Sequence, residues 1–361
     1  MLSVYVDADP RTDPNLRAAS IDLKNRYRQL QRQVGERSRD VTTALERLWP
    51  QIERLTEPTG SGRSRIAFVA LDSDWTLYLE SALPVANRLV LDDGPFLHPL
   101  LELLDEGRAA GVVILSATDA RMLEWQLGSL QDLRTLEQEY VQAPHERAGQ
   151  LGGGPRGQFN SPKREQRQSR ERERSERFLD EAVEAAAKLS EERGWERILV
   201  SGGDRLTEAA ISRFPQQLRD IVFADTRVLS GLDDNALAET VTEWAHEQHA
   251  NREGQLLSRV RDTVGAGGGV LGLSEVAASL NAGRVAHLVY DPEVRYVGTV
   301  GADGALYGGD EVGPEGGTPE SRFTERLIDR ALETKARISP VEGAAAGVLS
   351  DANGVAALLR W

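Results

Sequence analysis

The chain has 361 residues, of which 40% are hydrophobic and 28% are charged, as in an ordinary globular protein with room for two or three domains. It contains no cysteine, so a disulfide, a thiolate zinc site and a cysteine nucleophile are excluded, and this composition fits the cytoplasm. The formal net charge of −14 argues against a surface that binds nucleic acid over its whole area. We see neither an apolar run of about eighteen residues nor a signal-peptide pattern.

The first hundred residues predict an α/β domain. Short apolar or alternating segments are bounded by turn residues, and longer amphipathic segments lie between them. We place this first domain at residues 1–106. Its expected elements are a strand over 2–8, helices over 16–34 and 38–55, strands over 65–71 and 76–80, and a helix over 96–106.

A second domain, placed at residues 107–235, alternates strands with helices. Strands that are separated by helices can pair in parallel, so we expect a central mixed sheet that is partly parallel. The expected elements are strands over 111–116, 120–125 and 130–141, a helix over 161–192, a strand over 198–201, a helix over 206–214 and a strand over 220–224.

The third domain, placed at residues 236–361, follows a mainly helical segment over 232–264. We expect helices over 273–280 and 319–334 and strands over 284–290, 296–300, 305–307, 336–341 and 355–359. His246 and His249 are three residues apart on the long helix and lack a third ligand nearby, which is typical of a surface helix rather than a zinc site. We predict no metal site and no cofactor.

A glycine-rich loop followed by a long charged helix is the most informative feature of the chain. Residues 152–159 read GGGPRGQF, a loop with one apolar residue, Phe159. Ser161 can cap the helix, Pro162 suits its first turn and Gly194 can end it. Because the apolar positions all lie in the second half of this helix, we expect its first half to project and to carry the loop at its tip.

Basic residues are concentrated beside the loop. Arg156, Lys163, Arg164 and Arg167 face one acidic residue, Glu165, which predicts contact with phosphate groups. Glutamates interleave with the arginines over 170–177, so that part can equally be a solvated surface with ion pairs four residues apart.

In order and spacing, the chain resembles the archaeal and eukaryotic type of class 1 peptide-chain release factors, especially their bacterial homologues. It is also similar to Vms-type peptidyl-tRNA hydrolases, and its last domain resembles that of Pelota-type rescue factors. The segments that carry the resemblance are 2–7 (LSVYVD), 96–101 (FLHPLL), 111–125, the glycine-glutamine loop with its helix, 198–203 (ILVSGG), 283–289 (GRVAHLV) and 354–360 (GVAALLR).

The resemblance implies an α/β fold of three domains, with a projecting loop on the central domain and a Pelota-like α/β domain at the end. In the family, a Gly-Gly-Gln tip enters the ribosomal peptidyl-transferase centre and promotes hydrolysis of the peptidyl-tRNA ester. By resemblance, Gln158 and Gly157 take the catalytic positions, and Arg156, Lys163, Arg164 and Arg167 contact RNA. The implied partners are large-subunit ribosomal RNA and peptidyl-tRNA, without DNA or a membrane and with no partner GTPase identified.

Two departures from the family pattern shape the expected function. Arg156 stands where the family has its first glycine, although Vms-type enzymes also carry a non-glycine residue in this triplet. The first domain shows no stop-codon motif such as Asn-Ile-Lys-Ser, which favours codon-independent release in ribosome rescue over ordinary termination. The alternatives are a non-catalytic ribosome-binding factor of hibernation or Pelota type, and an adaptor whose long helix is a strut between domains.

Overall fold

A computed structural model describes residues 1–11, 13–35, 38–59, 62–138, 160–225, 227–311, 316–341 and 346–361, with the side chains of residues 160–167 and 348 outside the description. The chain divides into two compact units. Unit 1 contains Met1–Gly107 and Trp244–Trp361, and unit 2 contains Arg108–Glu243.

Unit 1 begins with an antiparallel sheet that two helices cover. The four strands have the order β3-β2-β1-β4, and Ser38 caps α2 by accepting from the Val41 N–H. Leu23 of α1 and Leu45 and Ile52 of α2 are buried against Val4 of β1. The elements are β1 (Leu2–Asp7), α1 (Arg17–Gly35), α2 (Arg39–Glu53), β2 (Ser64–Val69), β3 (Thr76–Ser81), β4 (Arg88–Leu91) and α3 (His98–Glu106).

Unit 2 is built on a five-stranded mixed sheet with the order β7-β6-β5-β8-β9. Strands β5, β6 and β7 pair antiparallel, whereas β5, β8 and β9 pair in parallel, as the sequence predicts. The elements are β5 (Ala110–Leu115), β6 (Asp119–Gln126), β7 (Ser129–Glu137), α4 (Asn160–Arg193), β8 (Arg197–Ser201), α5 (Asp204–Arg213) and β9 (Val222–Asp225).

A long helix, α6 (Asp234–Gly265), leads from unit 2 into the rest of unit 1. Two further sheets follow, with the orders β10-β16-β11-β15 and β13-β12-β14. Helices α7 and α8 bury Leu280, Phe323 and Leu327 in the same core as Leu288 of β11. The elements are β10 (Gly269–Leu271), α7 (Leu273–Asn281), β11 (Val285–Tyr290), β12 (Gly298–Val300), β13 (Leu306–Gly308), β14 (Thr318–Glu320), α8 (Phe323–Glu333), β15 (Arg337–Pro340) and β16 (Val355–Leu359).

The predicted mixed α/β fold of several sheets is confirmed, and the three predicted domain bounds stay a prediction. Three short strands, β4, β10 and β14, were not predicted from the sequence. The histidines of α6 lie nearer to α3 than a free surface helix would place them. His246 pairs with Glu106 of α3, and the His249 imidazole Nδ1 lies 2.9 Å from Arg252, which approaches Asp105 of α3 at 3.4 Å. No helix in the described part of the chain has the length and apolar character that a membrane span requires.

Gly111 on β5 leaves the space that the Trp195 ring fills. A Cβ atom at Gly111 would lie 2.1 Å from Cε3 of that ring, too close for any real contact. We therefore expect Gly111→Ala to lower the free energy of unfolding of unit 2 by about 1–3 kcal/mol, the usual cost of overpacking. Gly203→Ala is the control, because a Cβ atom there would meet nothing within 4 Å. Denaturant titration that finds the two variants equally stable would contradict this packing.

Candidate functional site

Helix α4 contains 34 residues and, at about 1.5 Å per residue, is about 50 Å long. We call residues 160–177 the stalk and residues 178–193 the root. The root supplies all the described contact with the core. The helix begins at Asn160, one residue before the predicted cap, and is followed by Gly194 in the left-handed conformation with φ +68°, as expected for a helix C-terminus.

The root packs onto the mixed sheet through small and branched side chains. Leu179, Ala182, Val183, Ala185 and Ala186 are all buried, in one cluster with Val113 and Met122 of the antiparallel strands and Val200 of β8. Because α4 ends where β8 begins, the helix runs back along the sheet, antiparallel to β8. The stalk therefore lies toward the carboxyl ends of the parallel strands and extends past them.

Strand β7 also ends on the side of the sheet where the parallel strands have their carboxyl ends. Glu137, the last residue of β7, pairs with Asp119, and the Gln138 N–H donates to the Thr118 carbonyl oxygen. Both described ends of the chain around residues 139–159 thus belong to one side of unit 2: β7 ends at that edge, and the stalk extends beyond it.

An arginine fixes β7 to its neighbours. Arg121 of β6 donates from Nε and Nη2 to both carboxylate oxygens of Asp132 on β7, at 2.6 and 2.7 Å. Its Nη2 also lies 3.0 Å from Asp234, in the first turn of α6. The hydrogen bonds from Arg121 hold the pKa of Asp132 below its ordinary value and raise the pKa of Arg121. Strand β7, which precedes the glycine loop in sequence, is thereby held in register with β6.

The part of the stalk whose side chains are described is exposed along its whole length. Every residue from 168 to 177 is exposed, so this segment contributes no apolar burial. Glu173 and Arg177 form the predicted pair four residues apart at 3.8 Å, and both side chains are more than half exposed. Such a pair contributes little stability. The expectation that the first half of α4 projects is therefore supported over 168–177.

Helical geometry separates the basic residues of the stalk into two sides. Successive residues advance by about 100° around an α-helix, so positions spaced alternately by four and three fall on one side. Five basic positions have this spacing, and we call them the basic stripe: Lys163, Arg167, Arg170, Arg174 and Arg177.

The basic stripe faces away from the sheet. Its positions lie roughly opposite the buried residues Leu179, Val183 and Ala186 of the root. Arg172, Glu165 and Glu176 lie on the same side of the helix as these three buried residues. Contact with phosphate groups and a solvated surface with ion pairs, the two interpretations of residues 170–177, therefore apply to different residues. Three of the four arginines continue the line of Lys163 and Arg167, which the count along the sequence did not reveal.

The structure describes only some of the residues that are predicted to act in catalysis or RNA binding. Arg156, Gly157 and Gln158 lie outside the described residues. Lys163, Arg164 and Arg167 lie on the first turns of α4. The backbone places Lys163 and Arg167 in the basic stripe and Arg164 about 100° around the helix from Lys163. Their roles stay predictions. Within the described part of the chain, no group of histidines and carboxylates has the arrangement of a metal site.

Comparison with known proteins finds a family similarity over part of the chain. Residues 95–250, which include the central sheet and all of α4, match the model of bacterial archaeo-eukaryotic release factor family 10. This segment is less than half of the chain. No curated protein sequence is significantly similar to it.

Solved structures of low sequence identity are similar to the chain over most of its length. The archaeal translation termination factor aRF1 is 18% identical, with 100% of this chain and 92% of that chain covered and a TM-score of 0.25. Dom34 of S. cerevisiae is 10% identical, with coverages of 82% and 80% and a TM-score of 0.44. Archaeal Pelota from a ribosome-bound model is 13% identical, with coverages of 82% and 78% and a TM-score of 0.46.

Root and stalk should respond differently to mutation. Leu179→Ala removes a side chain that is 4% exposed, and we expect it to lower the free energy of unfolding of unit 2 by about 2–5 kcal/mol. Arg172→Ala on the exposed stalk should change it by less than about 0.5 kcal/mol. Denaturant titration of both variants measures the difference. A large loss of stability in Arg172→Ala would mean that the stalk packs against the protein.

Proposed function

We propose that the protein acts on the ribosome as a codon-independent peptidyl-tRNA ester hydrolase in the rescue or quality control of stalled ribosomes. The observation that carries the proposal is the coincidence of a release-factor family match over residues 95–250 with a Gly157–Gln158 loop beside a projecting basic helix. The family match over residues 95–250 supports a ribosome-associated function. The proposed location is the cytoplasm, and the proposed partners are large-subunit ribosomal RNA and peptidyl-tRNA.

The proposed reaction needs little from the protein beyond positioning. A water oxygen attacks the carbonyl carbon of the peptidyl ester, the bond from that carbon to the ribose oxygen of the tRNA breaks, and the ribose oxygen takes a proton. The products are a peptide carboxylate and free tRNA. The backbone N–H of Gln158 would stabilise the oxyanion, and its uncharged side chain would help to position the water. Gly157 would allow the main chain to approach crowded RNA.

The second candidate is a non-catalytic ribosome-binding factor of hibernation or Pelota type. Arg156 favours it, because a long charged side chain replaces the glycine expected next to the tip. Incubation of the protein with ribosome-bound peptidyl-tRNA separates the candidates. Release of peptide supports hydrolysis, whereas tight binding without release supports the second candidate. A failure to bind ribosomes at all would contradict both.

Substitutions at the tip test the catalytic roles. We expect Gln158→Ala and Gly157→Val each to abolish peptide release without weakening ribosome binding. Gln158→Ala removes the side chain that is proposed to position the water, and Gly157→Val adds a side chain that would keep the main chain away from crowded RNA. The measurements are the single-turnover rate of peptide release and the ribosome Kd. Gln168→Ala, which changes an exposed glutamine on the stalk, is the matched control and should keep the wild-type rate. A wild-type rate in Gln158→Ala would end the catalytic assignment.

Substitutions on opposite sides of the stalk test RNA contact by the basic stripe. If the stripe meets phosphate groups, ribosome affinity falls with salt, and each lost contact flattens the log–log slope by about 0.9 on duplex and about 0.7 on single strands. Arg174→Ala should flatten the slope by this amount, and Arg172→Ala should flatten it much less. Both variants remove one arginine from the exposed stalk, two positions apart. Equal slopes for the two variants would mean that the stalk acts as a diffuse positive charge without a binding side.

A further inference from the structure

A buried carboxylate lies beside the end of the root. Glu124 of β6 is 8% exposed, and its Oε2 accepts a hydrogen bond from the Trp195 Nε1–H at 2.8 Å. Its Oε1 lies 3.8 Å from Arg193, the last residue of α4. Burial of a carboxylate is costly unless it is paired and hydrogen-bonded. Trp195 and Arg193 supply these partners, so the contact between Glu124 and Trp195 is a directional hydrogen bond as well as packing.

The surroundings of Trp195 act as a socket for one large side chain. Gly111 pairs directly with Glu124 across the sheet, and the missing side chain of Gly111 makes room for the indole ring. Trp195 is 4% exposed, and its backbone N–H donates to the Ser190 carbonyl oxygen of the root at 3.1 Å. Three interactions fix the point at which α4 leaves the sheet. The indole ring fills the space at Gly111, its N–H donates to Glu124, and the backbone N–H of Trp195 donates to Ser190. We call Gly111, Glu124 and Trp195 the root socket.

The rest of the root contact is made mainly by small side chains. Ala182, Ala185, Ala186 and Ala187 supply most of the buried positions of α4, beside the larger Leu179 and Val183. Apolar burial fixes which side of α4 meets the sheet, because a rotation would bring Asp180 or Glu184 into the core. The tilt of the helix axis is less constrained, because alanine offers little side chain to interlock with a neighbouring sheet. The direction of the helix therefore depends on the larger side chains near the ends of the root, of which Trp195 is the largest.

Small shifts at the root socket are amplified along the stalk. Val183 lies near the middle of the root contact, Trp195 follows it by twelve residues and Asn160 precedes it by twenty-three. At about 1.5 Å per residue these separations are about 18 Å and about 35 Å, so a shift of about 1 Å at Trp195 becomes about 2 Å at Asn160. Displacements of about 1 Å at a reacting centre can reduce a rate by about 100-fold.

We propose that Glu124 is a positioning residue that sets the direction of the stalk through its hydrogen bond to Trp195. The catalytic part of this inference rests on the proposed function, because direction matters only if the stalk presents a tip to a partner. The structural part does not. It states that loss of the Glu124 acceptor changes where the stalk points in a protein that remains folded.

Spin-label distances test the structural part directly. The chain has no cysteine, so Ser169→Cys on the stalk and Glu208→Cys on α5, both exposed, give one unique label pair. In this background, Glu124→Ala should broaden the distance distribution and shift its mean by about 1 Å for each 1 Å that Trp195 moves. Glu124→Gln keeps an oxygen acceptor for the indole and should stay close to wild type. Glu184→Ala, the same change on the exposed side of the root, is the control and should have no effect.

Peptide release tests the functional part. We expect Glu124→Ala to slow release by about ten-fold or more with less than about a two-fold change in ribosome Kd, and Glu124→Gln to restore most of the rate. If Glu124→Ala does not fold, Trp195→Phe takes its place, because it keeps a buried ring and removes the N–H donor. Wild-type distance distributions in the folded variant would overturn the proposal. If the wild-type protein releases no peptide, the proposed function fails, while the distance measurement still decides the role of Glu124.

Discussion

The burial of the root on the mixed sheet is the contact on which the stalk depends. An isolated helix of this charged composition would be marginal in water, because nucleation is costly and most helical stability in proteins comes from tertiary packing. The root supplies that packing through Leu179, Ala182, Val183 and Ala186. Once a helix is nucleated there, arginine, glutamate and glutamine are good helix formers, so the helix can extend through the stalk without burying anything. A projecting helix is thus a consequence of one strong attachment at one end.

Projection also reconciles an acidic protein with an anionic partner. The net charge is −14, and a body of that charge repels phosphate. The stalk is about 27 Å long, whereas the Debye length at physiological ionic strength is about 8 Å. Most of the stalk is therefore screened from the charges of the body, and the field at its surface comes from its own residues. A local basic stripe can act as a binding surface although the whole chain is acidic.

Periodicity in the sequence was enough to predict the long elements. The alternation in β1, the apolar runs of β2 and β5 and the amphipathic helices α1, α2 and α8 are clear in the sequence, and the structure confirms these elements. The strands β4, β10 and β14 have three or four residues each, too few to establish a period, and they exist because a neighbouring strand offers hydrogen bonds. Local sequence holds no sign of such tertiary pairing.

The site was predictable in part, for similar reasons. The glycine-glutamine loop and the charged helix are continuous in sequence, so their residue types stand out. The spacing of the basic stripe was also present in the sequence, but counting charges by segment mixed the two sides of the helix. Glu124 and Trp195 are 71 positions apart, and each alone is typical of an ordinary strand or loop. The pairing of β5 with β6 brings Gly111 to Glu124, and the parallel pairing of β5 with β8 brings Trp195, which precedes β8, to the same place.

The root determines the rotation of the stalk about its own axis as well as its direction. In a continuous helix, the basic stripe and the buried positions of the root are fixed relative to each other, roughly on opposite sides. A rotation of the root by one residue, about 100°, would bring Asp180 or Glu184 to the sheet in place of apolar side chains, so apolar burial fixes which side of the helix meets the sheet. The tilt of the helix axis is a separate matter, and an indole in a glycine-lined socket with a directional hydrogen bond constrains it at one end. The apolar root therefore determines which side of the stalk meets a partner, and the root socket constrains where the stalk points.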